Sequence, residues 1–321
     1  MRVAIVGFGN MGEKHAQKLA KMPGVEPAIV FRKRASPVEN RAKYAQTDVA
    51  ANMIFGRQVP LFDNIDACIS RFRPEAAIIA SPTEAHFEQA REFLRARKAL
   101  LVEKPLTLSI SQDAALVQLA RRGKTPLIVG WTERYNPAVR ILLDGNMVKG
   151  LGKIKTIESM RSYKSHKPEH PLVNNGTHDM DAALRVLQNE NTIRLVSSQE
   201  ETLGGKVVKA TAFVDFASGA KVKAGVVFSA ETKREMVITG SEGEATINFA
   251  EKTLVMTGRR GGTFRSDADQ LQEELSFFLR LAGGEKIEAD SWLLDTGTAA
   301  VDIMMSATAT RISFSDALTA R

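Results

Sequence analysis

At about 150 residues per domain, the 321-residue chain allows about two domains, each able to bury a core. Its 44% hydrophobic and 25% charged content is that of a globular protein and excludes a disordered one. A formal net charge of +7 suits a phosphate-rich small molecule, a nucleic acid or an anionic membrane, and composition does not choose among these.

The one cysteine, Cys68, permits no intramolecular disulfide and calls for no oxidising compartment, so the cytoplasm is expected. The opening Arg2-Val3-Ala4-Ile5-Val6 meets Gly7 after four apolar residues, too short a run for a signal peptide. No stretch approaches the roughly 18 apolar residues of a membrane span.

Val3 to Val6 reads as a fully buried strand, followed by G-F-G-N-M-G (Gly7 to Gly12) and a helical pattern from Glu13 to Met22. Pro27 to Phe31 supplies a second strand. Ala76 to Ala80 supplies a later one, stopped by Ser81-Pro82-Thr83 and followed by a helix from about Glu84 to Ala96. Leu100-Leu101-Val102 is the next buried strand, ended by Glu103-Lys104-Pro105; a helix over about 111–122 follows, and Pro126 to Gly130 begins a further strand. Short apolar strands alternating with helices predict a parallel sheet covered on both faces.

Beyond about residue 150 the pattern changes. Val208, Ala210, Ala212, Val214 and Phe216 alternate with outward positions, and after Ser218-Gly219 so do Val222, Ala224, Val226 and Phe228. Two period-2 runs about a glycine turn predict an antiparallel hairpin; Met236 to Ile238 and Ala245 to Phe249 predict another. Two helical patterns, about 267–282 and 291–312, close the chain. The expected architecture is α/β: a Rossmann domain with a doubly wound parallel sheet over 1–125, then an α+β domain over 126–321 with a large, mainly antiparallel open sheet that binds substrate and pairs subunits.

In G-x-G-x-x-G the first glycine permits the tight turn, the second admits a pyrophosphate to the backbone, and the third allows close helix–strand packing. Gly7, Gly9 and Gly12 stand at those offsets, so the amides of Asn10, Met11 and Gly12 at the helix start are candidates to hold a dinucleotide diphosphate. A tight βα turn with no ligand is the plainer alternative. An acid about 20 residues on would bind the adenosine ribose and indicate NAD. The second strand instead runs into Phe31-Arg32-Lys33-Arg34, where Arg32 and Lys33 suit a 2′-phosphate, so the cofactor is NAD or NADP with a lean to NADP; a solvated basic loop beside an NAD site is the alternative.

Three separated motifs line up: G-F-G-N-M-G-E-K-H at 7–15, Glu103-Lys104-Pro105 after a central strand, and Gly176-Thr177-His178-Asp179-Met180-Asp181 in the second half. Together they resemble the glucose-fructose oxidoreductase, inositol dehydrogenase and rhizopine-catabolism (Gfo/Idh/MocA) family over essentially the whole chain. Gly130-Trp131-Thr132-Glu133-Arg134-Tyr135-Asn136-Pro137 is similar to the G-x-x-E-R-[FY]-N-P signature of members acting on UDP-linked amino sugars. The resemblance implies a nicotinamide-dependent dehydrogenase that oxidises the C3 hydroxyl of UDP-N-acetylglucosamine, its ketone feeding an aminotransferase in lipid A biosynthesis. Family members that oxidise a free polyol, such as inositol, give the rival expectation. A dinucleotide sensor without turnover is a second rival, which the retention of Lys104 and His178 opposes.

Lys104 matches the family's catalytic lysine. Removing a hydride from a secondary alcohol requires that the hydroxyl proton leave too, so a base must lie within hydrogen-bond reach of that oxygen. Lysine serves if partial burial and the charge of an oxidised nicotinamide hold its amine well below the ordinary lysine range. His178 matches the second catalytic position. If 174–187 is helical, Asn174, His178, Asp181 and Ala182 share one face while Met180, Leu184 and Leu187 enter the core. Many relatives carry aspartate where this chain has Asn174, which leaves Asn174, beside Asn175, as a hydroxyl-binding group.

Ser81, Thr83 and His86 match a family loop that lies along the cofactor, and Glu103 adjoins it. Arg134, Tyr135 and Asn136 are expected to touch the sugar or the nicotinamide end, while Trp131 and Pro137 pack. Arg161, Tyr163 and Lys164 end a candidate strand where a diphosphate needs cations; a solvated edge is the plainer reading. His166 and His170 have the spacing of zinc ligands on a helix, but Pro168 interrupts it and no third ligand is evident, so no metal is expected. No nucleic-acid recognition pattern is present. The expected partners are a small-molecule sugar nucleotide and further copies of the chain, as a homodimer or homotetramer, with no nucleic acid and no membrane.

Overall fold

The apolar runs of the first half leave no polar side to face water, and each becomes a strand of one parallel sheet. The computed structural model describes residues 1–31, 37–165, 170–188, 192–286 and 297–313. By contact the chain divides into two units, Met1–Trp131 with Leu271–Thr298, and Thr132–Gln270 with Ala299–Arg321.

In the first unit, β1 (Arg2–Val6), β2 (Glu26–Val30), β3 (Leu61–Phe62), β4 (Ala76–Ile79), β5 (Ala99–Glu103) and β6 (Leu127–Gly130) form a six-stranded sheet in the order β3-β2-β1-β4-β5-β6. All its pairings are parallel. That is the doubly wound Rossmann order, whose switch point lies where β1 meets β4. The connections carry α1 (Asn10–Leu19), α2 (Pro37–Phe55), the single turn α3 (Ile65–Ala67), α4 (His86–Arg95) and α5 (Ile110–Gly123). Strand residues such as Ile5, Ile29, Ile78 and Leu100 are fully buried. Because β6 belongs to this sheet, the first segment of this unit runs past the boundary expected at residue 125, to Trp131.

In the second unit, α6 (Pro137–Asp144), β7 (Ile154–Tyr163) and α7 (Thr177–Val186) precede β8 (Ile193–Leu203), β9 (Lys206–Phe216), β10 (Lys221–Phe228), β11 (Arg234–Gly240), β12 (Glu244–Asn248), β13 (Thr253–Met256) and β14 (Gly262–Arg265). α8 (Gln270–Ala282) then leads into the segment that counts with the first unit, and α9 (Thr298–Ala309) and β15 (Arg311–Ser313) complete the second. The nine strands run β14-β13-β12-β11-β7-β10-β9-β8-β15. Only the β7–β10 and β8–β15 pairs are parallel. Both expected hairpins form, as β9–β10 and β11–β12. One sheet face packs with α6, α7 and α9 in a core that includes Met180, Leu184, Val214, Val222 and Ile303. Leu195 and Leu203 are exposed.

One helix expectation changes: residues 311–313 are strand rather than helix. Leu172–Gly176 is a π-helical turn that runs directly into α7, so Asn174 and Asn175 are helical and stand on the wider turn ahead of it.

Candidate active site

The three glycines of the first loop are required for three different reasons. Gly7 has φ +87, and a Cβ there would stand 2.8 Å from the backbone of Ser81, so the loop after β4 lies directly on the glycine turn. A Cβ on Gly12 would stand 2.1 Å from the Gly7 carbonyl oxygen, which is the close helix–strand approach. Nothing lies within 4 Å of a Cβ built on Gly9. Gly9 is the N-cap of α1 and no side chain caps that end, so the first-turn amides of Asn10, Met11 and Gly12 keep the polarity that holds a diphosphate. Beside it, a cavity of about 590 Å³ is lined by the strand ends Val6 and Val30, by Asp63, Asn64 and Ile65, and by Ala85 and Gln89. It is of a size for the adenosine half of a dinucleotide. These residues fit the cofactor that the glycine motif implies.

Lys104 follows the last residue of β5 and is half-buried. Its neighbours on both sides are held. Glu103 Oε1 lies 2.7 Å from Nε2 of His15, which is fully buried on α1. Beyond the lysine, His86 Nδ1 lies 2.9 Å from the Pro105 carbonyl and 3.3 Å from that of Leu106, while Nε2 lies 2.9 Å from the Ser81 carbonyl. Glu103 and His86 are expected on the cofactor; both ring nitrogens of His86 and Oε1 of Glu103 instead lie against protein atoms. Ser81 also donates its hydroxyl to Gln89 Oε1 at 2.6 Å. Gly7 to Gly12, Ser81, Thr83 and Lys104 thus gather at the C-terminal edge of β1, β4 and β5. Arg32 and Lys33 lie outside the described residues, as does His166 of the histidine pair.

In the second unit Asn174, Asn175 and His178 are half-buried at the start of α7, while Thr177, Asp179, Met180 and Asp181 are buried. Two buried ion clusters fix that helix. Arg161 donates to Asp179 Oδ1 from Nη2 at 2.6 Å and from Nε at 3.0 Å, and to Glu133 Oε1 at 3.2 Å, with its guanidinium over the Phe249 ring at 5.3 Å. Arg234 also pairs with Glu133. Arg134 holds Asp181 through both carboxylate oxygens, at 2.8 and 2.6 Å, and Arg185 joins at 3.1 Å. Burial by itself would raise the Asp181 carboxyl; Arg134, and after it Arg185, outweigh burial and hold it below the ordinary carboxylate range.

This geometry corrects several expected substrate contacts. Alternation along β7 turns Arg161 and Tyr163 to the buried face, where Tyr163 donates its hydroxyl to the Val207 carbonyl. Arg134 is buried against Asp181. Tyr135 is buried. Asn136 is fully buried, accepting from the Ala138 amide to cap α6 and donating to the Phe249 carbonyl and Gln270. Arg134 and Arg161 hold α7, while Tyr135, Asn136 and Tyr163 pack inside the second unit. Asp181 and Ala182 do not extend a ligand-facing stripe from His178, because both are buried. His15 closes the first sequence motif without a role of its own, although it falls on the buried face of α1 with Gly12, Ala16 and Leu19, where a polar residue is itself a signal. Glu133 and Asp179 likewise stand in the motifs without a role, because their partners are remote in sequence. Cys68 is buried and its thiol is pushed up to about 12 by that burial, so it supplies no nucleophile. No group of acids, histidines or cysteines able to hold a metal occurs among the described residues.

A parallel sheet in Rossmann order with a glycine loop at its switch point defines a dinucleotide-binding fold. Residues 1–131 match the profile of the oxidoreductase family with NAD-binding Rossmann fold, GFO_IDH_MocA. The chain is similar to the UDP-N-acetylglucosamine 3-dehydrogenase of Acidithiobacillus ferrooxidans, with 28% identity over 82% of this chain and 79% of that one. A structure of that enzyme superposes with a TM-score of 0.73 at 25% identity, covering 97% and 96% of the two chains. Inositol 2-dehydrogenase 2 of Saccharopolyspora erythraea is 27% identical over 59% of this chain and 55% of its own. Among the described residues no helix is long and apolar enough to cross a membrane.

Proposed function

We propose that the protein oxidises the C3 hydroxyl of UDP-N-acetylglucosamine to the 3-keto sugar, whose ketone suits a following transamination toward lipid A. The similarity to the Acidithiobacillus enzyme across most of both chains carries this reading. Gly9, Asn10, Met11 and Gly12 hold the diphosphate, and Ser81 and Thr83 line the cofactor. A nicotinamide dinucleotide held there would supply the acceptor for the C3 hydride. Lys104 takes the C3 hydroxyl proton as the C–O bond becomes a carbonyl, and His178 assists in that transfer. Asn174 and Asn175 bind sugar hydroxyls. Arg32 and Lys33 favour a 2′-phosphate on the cofactor, whereas Asp63, Asp66, Glu84, Glu88 and Glu92 along the adenosine cavity oppose one; titration with each cofactor decides between NAD and NADP. We place the protein in the cytoplasm as a homodimer or homotetramer, free of nucleic acid and membrane.

The test is absorbance at the reduced-nicotinamide band with UDP-N-acetylglucosamine, myo-inositol and free N-acetylglucosamine as substrates, with NMR of the product to place the ketone. Turnover of inositol and not of the sugar nucleotide establishes the polyol reading, which the inositol dehydrogenase relative favours. K104M should lower turnover by about 10² to 10⁴ with cofactor affinity retained; undiminished turnover removes Lys104 as the base.

A further inference from the structure

A lysine that works as a base must present its amine within hydrogen-bond reach of one oxygen, and its long flexible stem does not ensure that unaided. The backbone that carries it has to be fixed, and the chain around Lys104 is fixed at each side by a histidine. His15 is 0% and His86 1% exposed, so neither meets a ligand. The polar chemistry of His15 reduces to the one contact with Glu103, since its Nδ1 finds no hydrogen-bond partner among the described residues. A leucine would fill such a place without burying an unsatisfied nitrogen. The bond to Glu103 is what the imidazole adds. Glu103 is also confined from the neighbouring strand, because a Cβ on Gly130 would lie 3.3 Å from its Cα and its carboxylate. On the far side, the Pro105 and Leu106 carbonyls only accept, as does that of Ser81, and His86 spans all three.

We propose that His15 and His86 are positioning residues for Lys104. His15 acts through the Glu103 carboxylate and His86 through the Pro105 and Leu106 carbonyls, and together they set how the amine is presented without touching substrate or cofactor. Gly12, packed on Gly7, fixes α1, and His15 one turn further on carries that placement to the end of β5. The diphosphate loop and the base are thereby held by one hydrogen-bonded frame. The proposal rests on Lys104 being the base.

The test uses the full chain with H15L and H15F, two apolar replacements of different size so that a folding failure in one leaves the other, H15Q, which keeps a donor, H86F and K104M. Turnover is measured with UDP-N-acetylglucosamine and NAD or NADP. Separately, Lys104 is labelled competitively with acetic anhydride across pH in the presence of saturating NAD or NADP, and its acetylation is read by mass spectrometry. H15L or H15F should lower kcat by about 10- to 100-fold, the cost of misplacing a reacting group by up to an ångström. KM and cofactor affinity stay near wild type, the pH of half-labelling of Lys104 shifts, and H15Q recovers part of the loss. H86F should behave alike. H15L/K104M should be no slower than K104M, because the histidine acts only through the lysine. Wild-type turnover and labelling in the histidine variants, or losses that multiply in the double variant, overturn the proposal. Undiminished turnover in K104M refutes the lysine as base, and the labelling profile then decides by itself whether His15 and His86 set the amine. The labelling decides equally if this sugar nucleotide is not turned over.

Discussion

Replacing Asp181 with asparagine leaves the shape of α7 nearly unchanged and removes the anion that serves two arginines. Arg134 reaches that carboxylate at 2.6 Å with side-chain exposures of 2% and 4%, and Arg185 at 3.1 Å with 4% and 4%. Breaking a buried pair from one side costs about 3–5 kcal/mol, because the remaining charge stays out of water. Here D181N deprives two cations of this carboxylate, so the upper part of that range is expected, against a total stability of about 5–15 kcal/mol. R134M is milder: Asp181 keeps Arg185, and the loss is that of charge-assisted hydrogen bonds, about 1.5–3 kcal/mol. The sign with pH follows from the depressed Asp181 carboxyl. Its stabilisation is complete above the unfolded carboxylate value and is lost as pH falls through the lower folded one, so the gap between wild type and D181N closes in acid. Urea unfolding followed by circular dichroism, at unchanged m, measures each difference. D181N within about 1 kcal/mol of wild type, or R134M more damaging than D181N, would refute the assignment of this cluster as the anchor of α7.

The glycine loop separates folding from binding. G9A meets nothing within 4 Å, so its melting temperature should stay within about 2 °C of wild type while reduced-nicotinamide fluorescence reports weakened cofactor binding. G12A meets the Gly7 carbonyl at 2.1 Å and should lose both binding and more than about 3 kcal/mol of stability; equal effects from the two variants would contradict the division of roles. Asp113 is buried and its carboxyl is raised by that burial, with hydrogen bonds from Thr298 and Thr107 working the other way. The folded state therefore holds its proton more tightly than the unfolded one, and this group's contribution falls as pH rises through the raised folded value. D113N lacks that dependence, so scanning fluorimetry between about pH 4 and about pH 7 should show wild type gaining on it toward acid; parallel curves would count against the burial argument.

Periodicity was enough to find the fold. Val3 to Val6, Ile78-Ile79 and Leu100 to Val102 can only be buried strands, and the period-2 runs around Ser218-Gly219 can only pair as a hairpin. Residues 1–131 also hold the glycine turn, whose three roles follow from backbone geometry that a motif encodes directly. The platform under α7 was harder to read, because Arg134 and Asp181 are 47 positions apart, and a buried arginine looks in sequence like an arginine waiting for phosphate. Alternation could have corrected Arg161, since Ile157 and Ser159 put it on the inner face of β7. Asn136 deceived for another reason: an asparagine before proline is as good a helix cap as it is a sugar ligand.

The return of Leu271–Thr298 to the first unit has a consequence for how the protein is made. Gly283 approaches Met1, Gly297 packs against the Trp131 ring, and Thr298 donates to Asp113 at 2.6 Å. A ribosome must therefore release nearly the whole polypeptide before the opening domain can complete these contacts, so the nascent Rossmann domain waits without them while its successor is synthesised. Gene fragments cut after the last parallel strand would reproduce that waiting state permanently.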